Sequence, residues 1–150
     1  TGAQTDQGRR RRAGGLVDKV LKKVDAKLAA AKLEVNGFDV VGQAALAAEY
    51  LVQQGDRQVA ATVLIATDGL QTVGFTLNTP DLDVSQAERY AQTVAVPALP
   101  DGTQLIVAGV GRVAGSPAPS AFVEALKAFY STWCARTKAS CRVVTDYSAA

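Results

Sequence analysis

The sequence predicts an α/β fold in three layers, with helices on both sides of a mostly parallel central sheet. Three observations predict it. The run "VAATVLIAT", residues 59–67, is apolar without alternation over strand length, as a strand covered on both faces requires. A second such run is "TQLIVAGVG", residues 103–111. Helical patterns lie before, between and after these runs, and strands separated by helices close into parallel, doubly wound sheets.

Each element has its own signal. From Leu16 to Lys32, Val17, Val20, Leu21, Val24, Leu28 and Ala31 fall on one face of a helix with a lysine-rich outer side. "LEVNGFD" reads as a short strand and turn, after which Asp39 caps a second helix that ends at Gly55. The run 59–67 is then expected as a central strand. "QTVGFTLNTPDLD" reads as a loop with an extended piece around Phe75 to Leu77, ended by Pro80. Ser85 with Glu88 forms a capping box that opens a short helix through Tyr90, Ala91 and Val94, bounded by Pro97 and Pro100. After the second apolar run, Phe122, Leu126, Phe129, Tyr130 and Trp133 recur at helical spacing, which marks them as one buried face rather than a cofactor box. "CRVVTDY" reads as the closing strand. With no internal repeat or linker, residues 1–150 are expected to form one domain with a basic N-terminal segment, 1–15.

A chain of 150 residues with 48% apolar content has enough material for a core without a disulfide framework. No apolar run approaches the roughly 18 residues that a membrane-spanning helix needs. With no histidine, the usual general base, the Ser-His and Cys-His nucleophile pairs and every His-containing metal site are removed. Cys134 and Cys141 are too few for a four-cysteine zinc site and too widely spaced for a C-x-x-C redox motif, which leaves a disulfide or two free thiols. A disulfide suits an exported domain. The start at Thr1 and the lack of methionine predict a processed or trimmed product, so the compartment stays open, with an extracytoplasmic or cell-surface setting favoured.

Charge is concentrated at the start of the chain. Residues 1–34 hold 9 Lys or Arg against 4 Asp or Glu, a net of +5, and the remainder holds 7 against 10, a net of −3. Arg9, Arg10, Arg11 and Arg12 form an uninterrupted basic patch able to meet phosphates. No aromatic precedes Phe38 to stack on bases, so a solvated helix start or flexible basic loop is a better account than a nucleic-acid site.

In a doubly wound sheet ligands sit outside the carboxyl ends of the strands. Asp68-Gly69 lies at one such end and "GVGRVAG", residues 109–115, at another. The second stretch lacks the immediate helix start and the acidic partner of a dinucleotide fingerprint, and reads as a plain strand-to-helix loop. Asp68 has two readings: a turn cap that accepts backbone N–H groups, or a ligand group.

The sequence of a basic amphipathic helix, "FDVVGQAALAAEYL", "ATVLIATDGLQT", "LIVAGVGR" and a long aromatic helix resembles von Willebrand factor A-type domains, particularly divergent bacterial ones with "DGLQT" after the central strand. That resemblance spans about Gly15 to Tyr147 and implies a cation held by three loops at the carboxyl end of the sheet. Asp68 matches the third-loop aspartate. Thr1 would stand as a first-loop hydroxyl, with Ala3 in place of the second, and Asp39 follows Phe38, which occupies the second-loop threonine position. A hard cation needs about six oxygen ligands, so Mg²⁺ or Ca²⁺ at Asp68, Asp39 and Thr1 would be held feebly, in a degenerate site. The expectation is therefore a non-catalytic interaction or adhesion module that meets a protein partner through Asp68, Gly69, Thr72 and Asp39. The alternative is a structural or assembly subunit whose basic arm contacts neighbouring subunits or an anionic surface.

Overall fold

The computed structural model describes residues 6–30, 39–54, 61–113, 115 and 117–147; within the first helix, side chains are described for 14–26. Residues 1–36 and 37–150 form two compact units, each considered by itself. In the first, α1 runs over Asp6–Ala30. It therefore includes Arg9–Arg12 and passes through Gly14 and Gly15, where a shorter helix from Leu16 was expected. Arginine is among the better helix formers, and the two glycines cost about 1 kcal/mol each, too little to break a helix of this length.

The second unit alternates helix and strand: α2 (Val40–Gln53), β1 (Thr62–Ala66), α3 (Val84–Thr93), β2 (Gln104–Ala108), α4 (Ser120–Ala135) and β3 (Ser140–Val144). The three strands lie in the order β1-β2-β3 and all pairs are parallel, with Leu64 beside Ile106 and Ile106 beside Arg142. Mixed α/β architecture with a parallel sheet is thus present. Among the described residues β2 is the middle strand and β1 is paired on one side, where the sequence predicted β1 to be central.

The pleat sorts the strand residues onto two faces. Val63, Ile65, Leu105, Val107, Cys141 and Val143 face a core built with Val40 and Ala44 of α2, Ala87 and Ala91 of α3, and Phe122, Leu126, Phe129 and Trp133 of α4. The described helices of this unit thus share one side of the sheet. On the other side Leu64 is 57% exposed, so the alternation that "TVLIA" lacks in sequence appears in its burial. Phe129 and Tyr130 meet edge to face with ring centroids 5.0 Å apart, as do Tyr130 and Trp133 at 6.3 Å. The aromatic residues of α4 are core, as their spacing predicts.

Local chemistry sets the helix ends. Asp39 caps α2 by accepting from the Gly42 N–H at 2.8 Å, as expected; Gly55 lies outside the described residues. For α3 the capping box is Asp83 with Gln86, not Ser85 with Glu88: Asp83 Oδ1 accepts from the Gln86 N–H at 2.7 Å and Gln86 Oε1 from the Asp83 N–H at 3.3 Å. The buried Leu82 anchors the chain just before this cap, while Ser85 is already the second residue of the helix and its Oγ accepts from Arg89 Nη1 instead. Phe75 to Leu77 form no strand, since the Leu77 N–H donates back to the Gln71 carbonyl and closes a loop. Cys134 at the end of α4 and Cys141 in β3 form a disulfide, and no described cysteine is free.

Candidate functional site

The carboxyl end of β1 is built from two overlapping side-chain turns and one backbone bond to a neighbouring loop. Thr67 Oγ1 accepts from the Gly69 N–H at 3.0 Å, and Asp68 Oδ1 accepts from the Leu70 N–H at 3.0 Å. The second bond is the Asx-turn expected of an aspartate that caps a turn. The Asp68 carbonyl accepts from the Gly111 N–H at 2.7 Å, tying this turn to the loop that leaves β2. Asp68 is therefore half-buried and structurally engaged through one carboxylate oxygen.

Gly69 is buried at φ +89°, a conformation that residues with a Cβ rarely adopt, and a Cβ there would meet Val110, Tyr130 and Leu126 at 3.2–3.4 Å. The close approach lets the buried Tyr130 hydroxyl donate to the Gly69 carbonyl at 3.0 Å. Burial, and secondarily the nearby Asp68 charge, push the Tyr130 phenol well above its ordinary pKa. It stays protonated at neutral pH and serves as a donor.

The next residue, Gln71, is the one the residue-by-residue reading missed. Its side chain is fully buried and uses both ends. Oε1 accepts from the Val40 N–H at 2.8 Å and more weakly from the Val41 N–H at 3.4 Å, both at the start of α2. Nε2 donates to Asp39 Oδ1 at 3.1 Å and to the Val73 carbonyl at 2.7 Å. An uncharged amide can donate and accept at once, which is what a helix N-terminus beside a carboxylate demands. The available signal was a lone amide directly after a buried strand and turn, within "DGLQT".

Two clefts flank this turn. One, of about 470 Å³, is lined by Asp39, Val41, Gln71, Val73, Phe75 and Thr93 among others. The other, of about 290 Å³, is lined by Leu70, Pro80, Val113, Pro117, Pro119 and Phe122 among others. Thr72 is exposed between the residues that contribute to them.

The site residues expected from sequence are thus distributed as follows. Asp68, Gly69 and Thr72 stand on the turn after β1, and Gln71 brings Asp39 to the same segment. Thr1 and Phe38 lie outside the described residues, as do the side chains of Arg9, Arg10, Arg11 and Arg12, whose backbone is helical. The disulfide is remote from this end, because Cys141 pairs with Leu105 near the start of the strands. Among the described residues no group of three or more His, Cys, Asp or Glu side chains converges where a metal ion would sit. Asp39 Oδ1 already accepts two hydrogen bonds, from Gly42 and Gln71, and Asp68 Oδ1 one. No helix among the described residues is long and apolar enough to cross a membrane. No family model, curated protein or solved structure matches the chain.

Proposed function

We propose that the chain is a non-catalytic protein-interaction module of von Willebrand factor A type, related to the divergent bacterial members of that family. In this reading the sheet belongs to a three-layer sandwich, the partner docks at the carboxyl end of the strands, and Asp68, Gly69, Thr72 and Asp39 form the contact face. The cation site is degenerate in this account, with Asp68 and Asp39 retained as turn and helix caps that hold the loops in shape. The disulfide supports an extracytoplasmic setting for this module, since such bonds persist in oxidising compartments.

What carries the reading is the Gln71 bridge. It joins the turn after β1 to the start of α2 and so makes one preorganised surface from two loops at the position where α/β sheets take ligands. Hydrogen bonds to backbone N–H groups and to Gln71 occupy Asp68 Oδ1 and Asp39 Oδ1, which supports a scaffolding role for both residues.

The test is calorimetric titration of Mg²⁺, Ca²⁺ and Mn²⁺ into the chelator-stripped chain and its Asp68→Ala variant, followed by site-specific photocrosslinking from position 72 in an envelope fraction. No saturable heat together with one dominant crosslinked protein, lost when Asp39→Lys is added, is the expected result. Saturable cation binding that Asp68→Ala abolishes would overturn the degenerate site. Absence of any crosslinked protein from position 72, with strong crosslinking from an α3 control position such as Glu88, would move the contact face elsewhere.

A further inference from the structure

The first unit carries an apolar surface that the proposed module does not use. On α1, Leu16, Val17, Val20, Leu21 and Val24 follow one another at spacings of one, three or four residues and so share one side of the helix. They are 64%, 54%, 52%, 55% and 46% exposed, so five large aliphatic side chains form a continuous stripe in contact with water. Lys19 and Lys22 fall on the other side, Lys23 borders the stripe beside Leu16, and Asp18 and Asp25 occupy a narrow strip along its opposite edge. Over its whole length, Asp6–Ala30, the helix holds eight Lys or Arg against three Asp, a net of +5, with four consecutive arginines near its start.

The two properties select an occupant together. A nucleic acid would meet the cations but leave the aliphatic stripe in water, and this helix offers no aromatic side chain for stacking. A second α1 would cover the stripe but bring two helices of net +5 against each other. The surface of an anionic bilayer satisfies both, because the acyl boundary takes the aliphatic side chains while headgroup phosphates meet the lysines and arginines. The helix is not apolar enough to cross a membrane, so it would lie in the interface plane.

We infer that α1 is an interfacial anchor: its Leu16–Val24 stripe enters the headgroup boundary of an anionic membrane and its basic residues hold the lipid phosphates. This inference does not depend on the interaction face proposed for the second unit.

Co-sedimentation of the full chain with vesicles of phosphatidylcholine alone, or of phosphatidylcholine mixed with phosphatidylglycerol, tests it. Partitioning should require phosphatidylglycerol and fall with added salt. A V20D/V24D double variant should abolish it, and R10S/R11S should weaken it by about tenfold or more. Five results would overturn the inference: no binding to phosphatidylglycerol vesicles, or equal binding by V20D/V24D; duplex DNA binding without vesicle binding; a dimer that V20D/V24D converts to monomer; or a fall in melting temperature of V20D/V24D without vesicles, which would put the stripe inside the folded protein.

Discussion

Gln71 and Asp39 are joined by a 3.1 Å hydrogen bond from the glutamine Nε2 to the aspartate Oδ1, while the other end of the same amide accepts from the Val40 N–H at 2.8 Å. One buried side chain therefore completes the cap of α2 and fixes the loop after β1. Gln71→Leu keeps the volume and removes every bond, leaving the Val40 N–H and the Val73 carbonyl unpaired. It should lower stability by about 2–4 kcal/mol, with a fall in denaturant midpoint at unchanged slope. Gln71→Glu should be worse at neutral pH than at acidic pH, because it would set a second carboxylate against that of Asp39. Equal loss at both pH values would argue against the amide's dual role.

Gly69→Ala tests the turn from the backbone side. The positive φ costs the substituted residue about 1–3 kcal/mol, and the packed side chains of Val110, Tyr130 and Leu126 must give way slightly. Gly74→Ala, also at positive φ but with nothing within 4 Å of its Cβ position, should cost less. Thermal melts of the two variants side by side separate steric crowding from backbone strain.

Tyr130 predicts a limit at alkaline pH. Its pKa is raised in the folded state by burial first and by Asp68 second, so above the ordinary phenol value of about 10 the unfolded chain releases a proton that the folded chain keeps. The stability this group contributes is fully present below that pH and is lost progressively above it. Tyr130→Phe should cost about 1 kcal/mol at neutral pH through the lost bond to the Gly69 carbonyl, and should flatten the decline above pH 10. Denaturant titrations at neutral and alkaline pH check both parts.

The disulfide closes a short loop, with seven residues of sequence separation between Cys134 and Cys141. Chain-entropy arguments give such a loop about 2–3 kcal/mol of stabilisation. Reduction, or a Cys134→Ala/Cys141→Ala double variant, should lower the unfolding free energy by that amount, and the melting temperature with it, without altering crosslinking from Thr72, since the bond lies at the opposite end of the strands.

Arg136 holds the end of α3 from α4. Its Nη1 donates to the Ala91 carbonyl at 2.5 Å and the Val94 carbonyl at 2.6 Å, orphan acceptors of a helix C-terminus. Arg136→Met should cost about 1–3 kcal/mol, and Arg136→Lys should recover part of it as a single cation with less favourable geometry. Hydrogen exchange at the last turn of α3 should rise in Arg136→Met before global unfolding does.

Much of this protein is set by local sequence. β1 and β2 fall within the apolar runs 59–67 and 103–111, Asp39 caps α2, and the aromatic spacing of Phe122, Phe129, Tyr130 and Trp133 becomes the buried face of α4, because strand pleat, helix period and cap geometry act over a few residues. Asp68 as a turn cap is legible for the same reason. Tertiary structure decided what depends on residues far apart in the chain. Gln71 gains its role from Val40 and Asp39, more than 30 residues earlier, and Tyr130 from Gly69, 61 residues away. The lateral order of the strands, the exposure of Leu64 and the choice of Asp83 over Ser85 as a cap follow from which surfaces meet. No periodicity encodes that, because burial is a property of the partner surface as much as of the segment itself.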